Sequence, residues 1–167
     1  MQFNKKNVWN PMLVGSMELL KAEPSPEHNQ MLLSELMKAD LLIPVVLTPM
    51  PESDAEGNIK PVGQTKMQFP VLSAPDGKNF FAVYTDKPEY EKRGSFENQT
   101  MAVVKFEEVM MMTLHKDSIS SGAVLNPFSA NLVIGKEMMA GLMNAKLAQM
   151  QKSRQQADAQ TGVKPEK

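Results

Sequence analysis

Two apolar runs separated by Pro75-Asp76-Gly77 form the clearest pattern along the chain. An Asp-Gly pair favours a tight turn, because glycine tolerates a positive φ and the aspartate side chain can accept a hydrogen bond from nearby backbone. The pattern therefore predicts a hairpin in which about residues 67–74 pair antiparallel with about residues 78–85. Both faces of the second strand are apolar, so we expect it to be central in a covered sheet, with Phe80 and Phe81 both largely buried.

Helix-start signals and one interrupted apolar run organise the rest of the first half. Capping residues predict a helix after Asn10, another after Ser25 and a short one after Asp86. The apolar run at residues 41–47 predicts a strand. Pro44 within that run indicates an edge position or a bulge, because proline has no N–H to donate. The proline-, glycine- and acid-rich stretch that follows, up to Thr65, is typical of a long exposed loop.

The second half of the sequence alternates between strand and helix patterns. Strands are predicted at residues 101–106, 122–125 and 132–134, and helices at residues 106–114 and 136–151. Together with the first half, this order favours an α+β fold with a mixed β-sheet of about five to six strands flanked by helices.

The domain organisation follows from length and from the loss of pattern near the end. We expect one domain over residues 1–152. Residues 153–167 are polar and lack an apolar period, which predicts a flexible tail.

The predicted C-terminal helix has a methionine-rich apolar side. A helix over residues 136–151 is about 24 Å long, whereas strands of common length span about 17–20 Å. Either the whole stripe lies on the sheet, or the end of the helix projects past it. The second arrangement, which we favour, presents Leu147 and Met150 to a partner or to a second copy of the chain.

Composition narrows the possible partners. The chain has 167 residues with a formal net charge of −1, no cysteine and 15 methionines. The near-zero charge gives no electrostatic reason to expect binding to nucleic acid or to an anionic membrane. The absence of cysteine excludes disulfides and thiolate chemistry and fits a cytoplasmic location. No secretory signal is recognisable, and the apolar runs are too short for a membrane span.

The residue types that usually carry catalysis or bind metals form no recognisable motif. The two histidines, His28 and His115, have no metal-ligand spacing to each other or to paired acids. The serines lack the nucleophile-elbow pattern, and the glycines form no phosphate-binding loop. We therefore expect no catalytic residue, no metal site and no cofactor.

Two short stretches are candidates for binding. Of Met110-Met111-Met112, only the first fits the buried stripe of its helix. Met111 and Met112 are either covered by a second layer or form an exposed, adaptable patch for a partner.

The second stretch is a turn at the end of a strand. Asn126, Pro127 and Phe128 either form a simple turn or line a recognition groove with Tyr84 and Thr85. The groove requires that the two strand ends be neighbours in the fold.

The order of these signals resembles the N-terminal domain of the SseB (enhanced serine sensitivity) family of bacterial proteins, over roughly residues 10–140. The segments that carry the resemblance are Leu42-Ile43-Pro44-Val45, Phe81-Ala82-Val83-Tyr84-Thr85-Asp86 and Val124-Leu125-Asn126-Pro127. The resemblance implies a cytoplasmic α+β domain and supplies no catalytic motif. Longer members of the family carry a second domain, whereas here the methionine-rich helix follows the resemblance.

The function that we expect is a non-enzymatic protein-interaction or regulatory module. Its partner is an unknown protein or a second copy of the chain. The alternative is a small-molecule-binding domain with a site near the strand ends, around Tyr84 and Asn126. A deep pocket with converging polar groups favours the alternative, and an exposed methionine or aromatic patch favours the interaction module.

Overall fold

The computed structural model describes residues 2–3, 7–55, 59, 63–96 and 98–160. Within these ranges the helices are α1 (Pro11–Ala22), α2 (Pro26–Lys38), α3 (Lys87–Glu91), α4 (Phe106–Leu114) and α5 (Lys136–Gln160). The strands are β1 (Gln2–Phe3), β2 (Asp40–Thr48), β3 (Lys66–Gln68), β4 (Val71–Ser73), β5 (Asn79–Val83), β6 (Gln99–Lys105), β7 (Ser120–Leu125) and β8 (Leu132–Gly135).

Within the described residues the strands form two four-stranded sheets, and a backbone bridge connects them. Their orders are β1-β6-β2-β3 and β4-β5-β7-β8. Strands β5 and β7 are parallel, and the other described pairs are antiparallel. Leu42 in β2 and Tyr84, directly after β5, exchange two backbone hydrogen bonds of 2.9 Å, which link the sheets. The α+β class is confirmed, although the strands are divided between two sheets where we expected one sheet of five or six.

Pro44 lies in an internal strand, so the predicted edge position or bulge is wrong. The register of β2 against β6 is continuous and pairs Pro44 with Met101. On its other side β2 bonds Tyr84 at Leu42 and pairs with β3 from Val46 onward. Backbone N–H groups alternate in direction along a strand, so the nitrogen of Pro44 points to the same side of β2 as that of Leu42. On that side Pro44 faces the gap between Tyr84 and β3. A missing donor therefore costs no ladder hydrogen bond there.

The predicted hairpin is confirmed between β4 and β5, but it is shorter than expected. Val71 pairs with Phe81, and the turn contains Gly77 at a φ of +81°. The stretch before Pro70 does not join this pairing, since β3 pairs with β2 in the other sheet. Proline has no N–H for a ladder, so the run from residue 67 to residue 74 breaks at Pro70 into two short strands.

Apolar side chains cover both faces of β5, as expected for a central strand. Phe81 and Val83 belong to the larger core cluster, beneath the helices. Ala82 and Tyr84 belong to a smaller cluster on the opposite face. Phe80 lies near the start of β5 and is only partly buried, whereas we predicted that its ring would be largely buried.

Local capping sets the starts of two helices as predicted. The hydroxyl of Ser25 accepts a hydrogen bond of 3.1 Å from the backbone N–H of His28. The carboxylate of Asp86 accepts one of 2.9 Å from the N–H of Glu89. Helix α1 begins at Pro11, but the side chain of Asn10 makes no cap hydrogen bond and bonds more distant groups instead.

Helix α5 is longer than the sequence pattern indicated. It runs to Gln160 and therefore includes residues 153–160, which we had assigned to the polar tail. Alanine, glutamine and arginine make up six of these eight residues, and all three are good helix formers. Residues 161–167 of the predicted tail lie outside the described residues, as do residues 56–58 and 60–62 of the predicted loop.

Candidate functional site

The two strand ends suggested as a recognition site are neighbours in the fold. The backbone N–H of Asn126, after β7, donates to the carbonyl of Val83 at 2.9 Å. The side chain of Asn126 then bonds Thr85 twice: its Oδ1 accepts from the Thr85 N–H at 3.0 Å, and its Nδ2 donates to the Thr85 hydroxyl at 2.9 Å. The Thr85 hydroxyl donates in turn to the carboxylate of Asp86 at 2.9 Å.

Asn10 completes this network from the start of α1. Its Nδ2 donates to the carbonyl oxygens of Asp40 and Thr85, both at 2.7 Å. Asp40 begins β2 in one sheet, whereas Thr85 follows β5 in the other. One amide group therefore ties the start of α1 to both sheets, a role that the helix-start signal at Asn10 did not reveal.

The strand-end network is buried and bonded within itself. Thr85 is fully buried and Asn126 nearly so. The backbone carbonyl of Asn126 also accepts from the N–H groups of Ser129 and Asn131, at 3.0 and 2.9 Å. The side chains of Thr85 and Asn126 therefore hold the two strand ends together.

The turn that follows Asn126 is tied to α3. The Ser129 hydroxyl donates to the Glu89 carboxylate at 2.6 Å. Partial burial raises the pKa of Glu89, but hydrogen bonds from Lys92 and Ser129 outweigh burial, so this pKa lies below its ordinary value. Pro127 in the turn is half-buried, whereas the ring of Phe128 is 54% exposed.

Phe128 and Tyr84 both line one small pocket. The pocket has a volume of about 220 Å³. Its lining is mostly apolar and comprises Pro44, Pro70, Val71, Leu72, Ala82, Tyr84, Arg93, Phe96, Gln99 and Phe128. We call it the Arg93 pocket. Of the predicted site residues, Tyr84 and Phe128 meet here, whereas Asn126 lines a different cavity beside α1.

Aromatic rings hold Arg93 in place in this pocket. Its guanidinium carbon lies 5.0 Å from the ring centroid of Tyr90 and 4.5 Å from that of Phe96. Its N–H groups donate to the Tyr90 hydroxyl, at 3.1 Å, and to the side-chain oxygen of Gln99. Tyr84 packs edge-on against Tyr90 with a centroid distance of 5.3 Å. Burial raises the pKa of both tyrosines, and the charge of Arg93 opposes this rise only in part.

Met111 and Met112 line a larger groove on the opposite face of the β4–β5 hairpin. This groove has a volume of about 690 Å³. Its lining is Met67, Phe69, Val71, Phe81, Met111, Met112, His115, Asp117, Ser118 and Ile119. We call it the methionine groove. Met111 is 54% exposed and Ile119 70% exposed, so no layer of the described chain covers them.

The end of α5 presents a separate apolar surface. Met139 is buried, and Leu142 and Met143 are half-buried against the main core. Lys146 forms an ion pair with Glu107 of α4. Beyond it Leu147 and Met150 are each about half exposed, as expected for a helix that outruns its sheet. Neither side chain lines the methionine groove.

Neither histidine lies in a group that resembles a metal site. The Nδ1 atom of His28 lies 2.6 Å from the carbonyl of Glu23, and that of His115 lies 3.8 Å from one carboxylate oxygen of Asp117. In the described part of the chain, no three side chains of the metal-binding types come together. None of the described helices has both the length and the apolar composition that a membrane span requires.

Comparison with known families gives one match. The family described as SseB protein N-terminal domain matches residues 13–141, which is more than half of the chain. The chain belongs to the SseB family. No curated protein and no solved structure gave a match.

The SseB-like segments of the chain converge on the joint between its two sheets. Leu42 from the first segment bridges Tyr84 from the second, and Thr85 from the second bonds Asn126 from the third. The resemblance therefore follows the residues that hold this SseB domain together. Phe81 of the second segment also lines the methionine groove, whose other lining residues lie outside the three segments.

Proposed function

We propose that this SseB domain is a non-enzymatic protein-interaction module that binds an apolar segment of a protein partner in the methionine groove. The observation that carries the proposal is the groove itself. Three of its lining side chains, Met67, Met111 and Ile119, are exposed on different elements that face one concave surface. Monomeric soluble proteins rarely expose large contiguous apolar patches, and such patches mark sites of association with a partner.

The chemistry of the groove supports a protein ligand. Methionine is unbranched and polarizable, so a surface built from it adapts to apolar side chains of different shapes. The polar groups at the groove, His115, Asp117 and Ser118, all come from the segment that follows α4. The rest of the lining is apolar and offers a partner a place to bury apolar side chains. A cytoplasmic location in a bacterial cell is part of the proposal and fits a chain without cysteine.

The test uses substitutions on the exposed rim of the groove. We expect the double variant Met111→Ser/Ile119→Ser to fold with a stability close to that of the unmodified protein, because both side chains already face solvent. The variant should lose a partner that the unmodified protein retains on an affinity column. Met138→Ser is the matched control, since Met138 is also an exposed methionine but lies outside the groove.

Two results would count against the methionine groove. One is retention of every bound protein by the double variant. The other is equal loss of binding by the Met138→Ser control, which would indicate a general effect of surface methionine. Sedimentation of the purified protein shows whether the partner is a second copy, because the double variant would then shift from dimer to monomer.

A second candidate function is the binding of a small molecule near the strand ends. The observation that favours it is the Arg93 pocket, in which Tyr84 and Phe128 meet a guanidinium group. Asn126 has no part in this version of the site, because it lines a separate cavity beside α1 and not the Arg93 pocket.

A further inference from the structure

We propose that the Arg93 pocket binds a carboxylate that carries one apolar group, such as a phenyl or a branched alkyl group. The proposal deepens the second candidate function, on which it rests, by naming the class of ligand. It is independent of the methionine groove. The carboxylate can belong to a free organic acid or to the last residue of a peptide with an apolar side chain. Both present the same chemistry to the pocket.

The charge of Arg93 is the first argument. Its guanidinium donates to a tyrosine hydroxyl and to an amide oxygen, which are both neutral acceptors. Among the described residues no carboxylate lies within ion-pair distance of it. The side chain is half-buried, so its charge is partly removed from water. A carboxylate would place a negative charge beside the guanidinium and can accept two parallel hydrogen bonds from it.

The fixed position of Arg93 is the second argument. The rings of Tyr90 and Phe96 contact the guanidinium, and the two acceptors set its direction. A free arginine side chain loses rotamer freedom when it binds a ligand, whereas this one has already lost much of it. Arg93 is therefore preorganised to receive an anion.

The size and lining of the pocket are the third argument. Its volume of about 220 Å³ is below the range of roughly 300–1,000 Å³ that holds drug-sized molecules. An engineered apolar cavity of about 150 Å³ is enough to bind benzene. The pocket thus has room for one ring or one branched side chain. Phe96 and Phe128 are each 54% exposed and can close over such a group.

The experiment compares acids with their amides by titration calorimetry. The free-acid pair is 3-phenylpropionate and 3-phenylpropanamide. The peptide pair is an acetylated tripeptide that ends in phenylalanine with a free carboxylate, and its C-terminal amide. We expect each acid to bind at least tenfold more tightly than its amide. If the peptide acid binds more tightly than 3-phenylpropionate, the source is a peptide terminus, and the reverse order indicates a free acid.

Variants assign the effect to the pocket. Arg93→Gln should remove the preference for acid over amide, and Arg93→Lys should retain part of it because the charge remains. Arg154→Gln is the matched control, because Arg154 is the only other arginine in the sequence and lies exposed on α5. Phe128→Ala leaves the charge in place but removes one exposed wall. It should weaken acid and amide by a similar factor, and it provides a second readout if Arg93→Gln does not fold.

Three results overturn the proposal in distinguishable ways. If acid and amide bind equally well, and Phe128→Ala weakens both, the pocket binds small apolar molecules but the assignment to carboxylates is wrong. If none of the four probes binds in a saturable manner, the small-molecule function of the pocket fails together with its ligand class. Unchanged binding of the acids to Arg93→Gln would also exclude Arg93 as the anion-binding group.

Discussion

Replacing Asn126 with alanine should strongly destabilise the domain, because three separate penalties fall on one buried residue. The backbone N–H of Thr85 would lose its acceptor inside the protein, which costs about 1–3 kcal/mol. The hydroxyl of Thr85 would lose a donor, at about 0.5–1.5 kcal/mol. Asn126 also has a φ of +46°, a left-handed conformation that costs alanine about 1 kcal/mol more than asparagine. We expect a total loss of about 3–5 kcal/mol in the free energy of unfolding.

Two further variants separate these penalties. Asn131 has nearly the same backbone conformation, with a φ of +48°, but its side chain is exposed. Asn131→Ala should therefore incur the backbone cost alone, about 1 kcal/mol. Asn126→Gly relieves the left-handed strain but still removes both side-chain hydrogen bonds. It should lie between the two alanine variants in stability.

The measurement is urea unfolding followed by circular dichroism at 222 nm, with the midpoint and slope fitted for each variant. If Asn126→Ala costs no more than Asn131→Ala, the strand-end network contributes nothing beyond its backbone conformation, and the reasoning is refuted. If Asn126→Gly is as stable as the unmodified protein, the side-chain bonds to Thr85 are dispensable, which refutes it as well.

Three other predictions concern the core, one carboxylate and the end of α5. Phe81 is buried in the main cluster, so Phe81→Ala should cost roughly 3–5 kcal/mol in the same unfolding assay, and a loss below about 1 kcal/mol would contradict its place in the core. The lowered pKa of Glu89 means that its carboxylate adds stability above the ordinary value of 4.5, and this stability is lost as the pH falls through the lowered folded value. Urea titrations across that window should thus show a steeper acid loss for the unmodified protein than for Glu89→Gln, and parallel curves would exclude the effect. Leu147→Ser/Met150→Ser should leave the free energy of unfolding within about 0.5 kcal/mol of the unmodified value, because both side chains are exposed. The variant should lower self-association in sedimentation or partner retention in affinity assays. If it unfolds instead, the end of α5 is part of the core.

Signals that act over a few residues predicted the structure well. The caps at Ser25 and Asp86 and the turn at Gly77 each depend on groups within three or four positions of one another. Short stretches of sequence therefore determine the geometry of these caps and of this turn. The exposed end of α5 also followed from lengths alone, since a helix rises by a known distance per residue.

Partnerships between distant strands were harder to predict. The run from residue 67 to residue 74 has the composition of one strand, but Pro70 divides it between two sheets. The proline is visible in the sequence, but the position of β2, which pairs with the first half of the run, is not. Pro44 shows the same limit. An internal strand tolerates it because it lies between the bridge to Tyr84 at Leu42 and the pairing with β3, which begins at Val46.

The candidate site was only partly predictable for a similar reason. Tyr84 and Phe128 do meet in a pocket, and Met111 and Met112 do line an exposed groove. Arg93 escaped notice because no recognised binding motif surrounds it in the sequence. Its importance comes from Phe96, Gln99 and the distant Phe128, which only the fold brings together. An arginine flanked by aromatic residues three positions away on each side is the signal that could have indicated it.

Tyr84 connects the architecture of the domain to its proposed binding chemistry. Its backbone forms the bridge between the two sheets, and its ring lies in the wall of the Arg93 pocket. A ligand in that pocket contacts the folded joint and has no equivalent site on the unfolded chain, so binding must stabilise the folded state by an amount that grows with the ligand concentration relative to its Kd. Because Leu42 and Tyr84 hold the sheets through two backbone hydrogen bonds, protection of these two amides from hydrogen exchange should rise when the pocket is occupied. Occupation of the methionine groove should instead protect the amides of Met111 and Ile119, which line that groove. Exchange at these two places can thus tell the two proposed functions apart in a single protein.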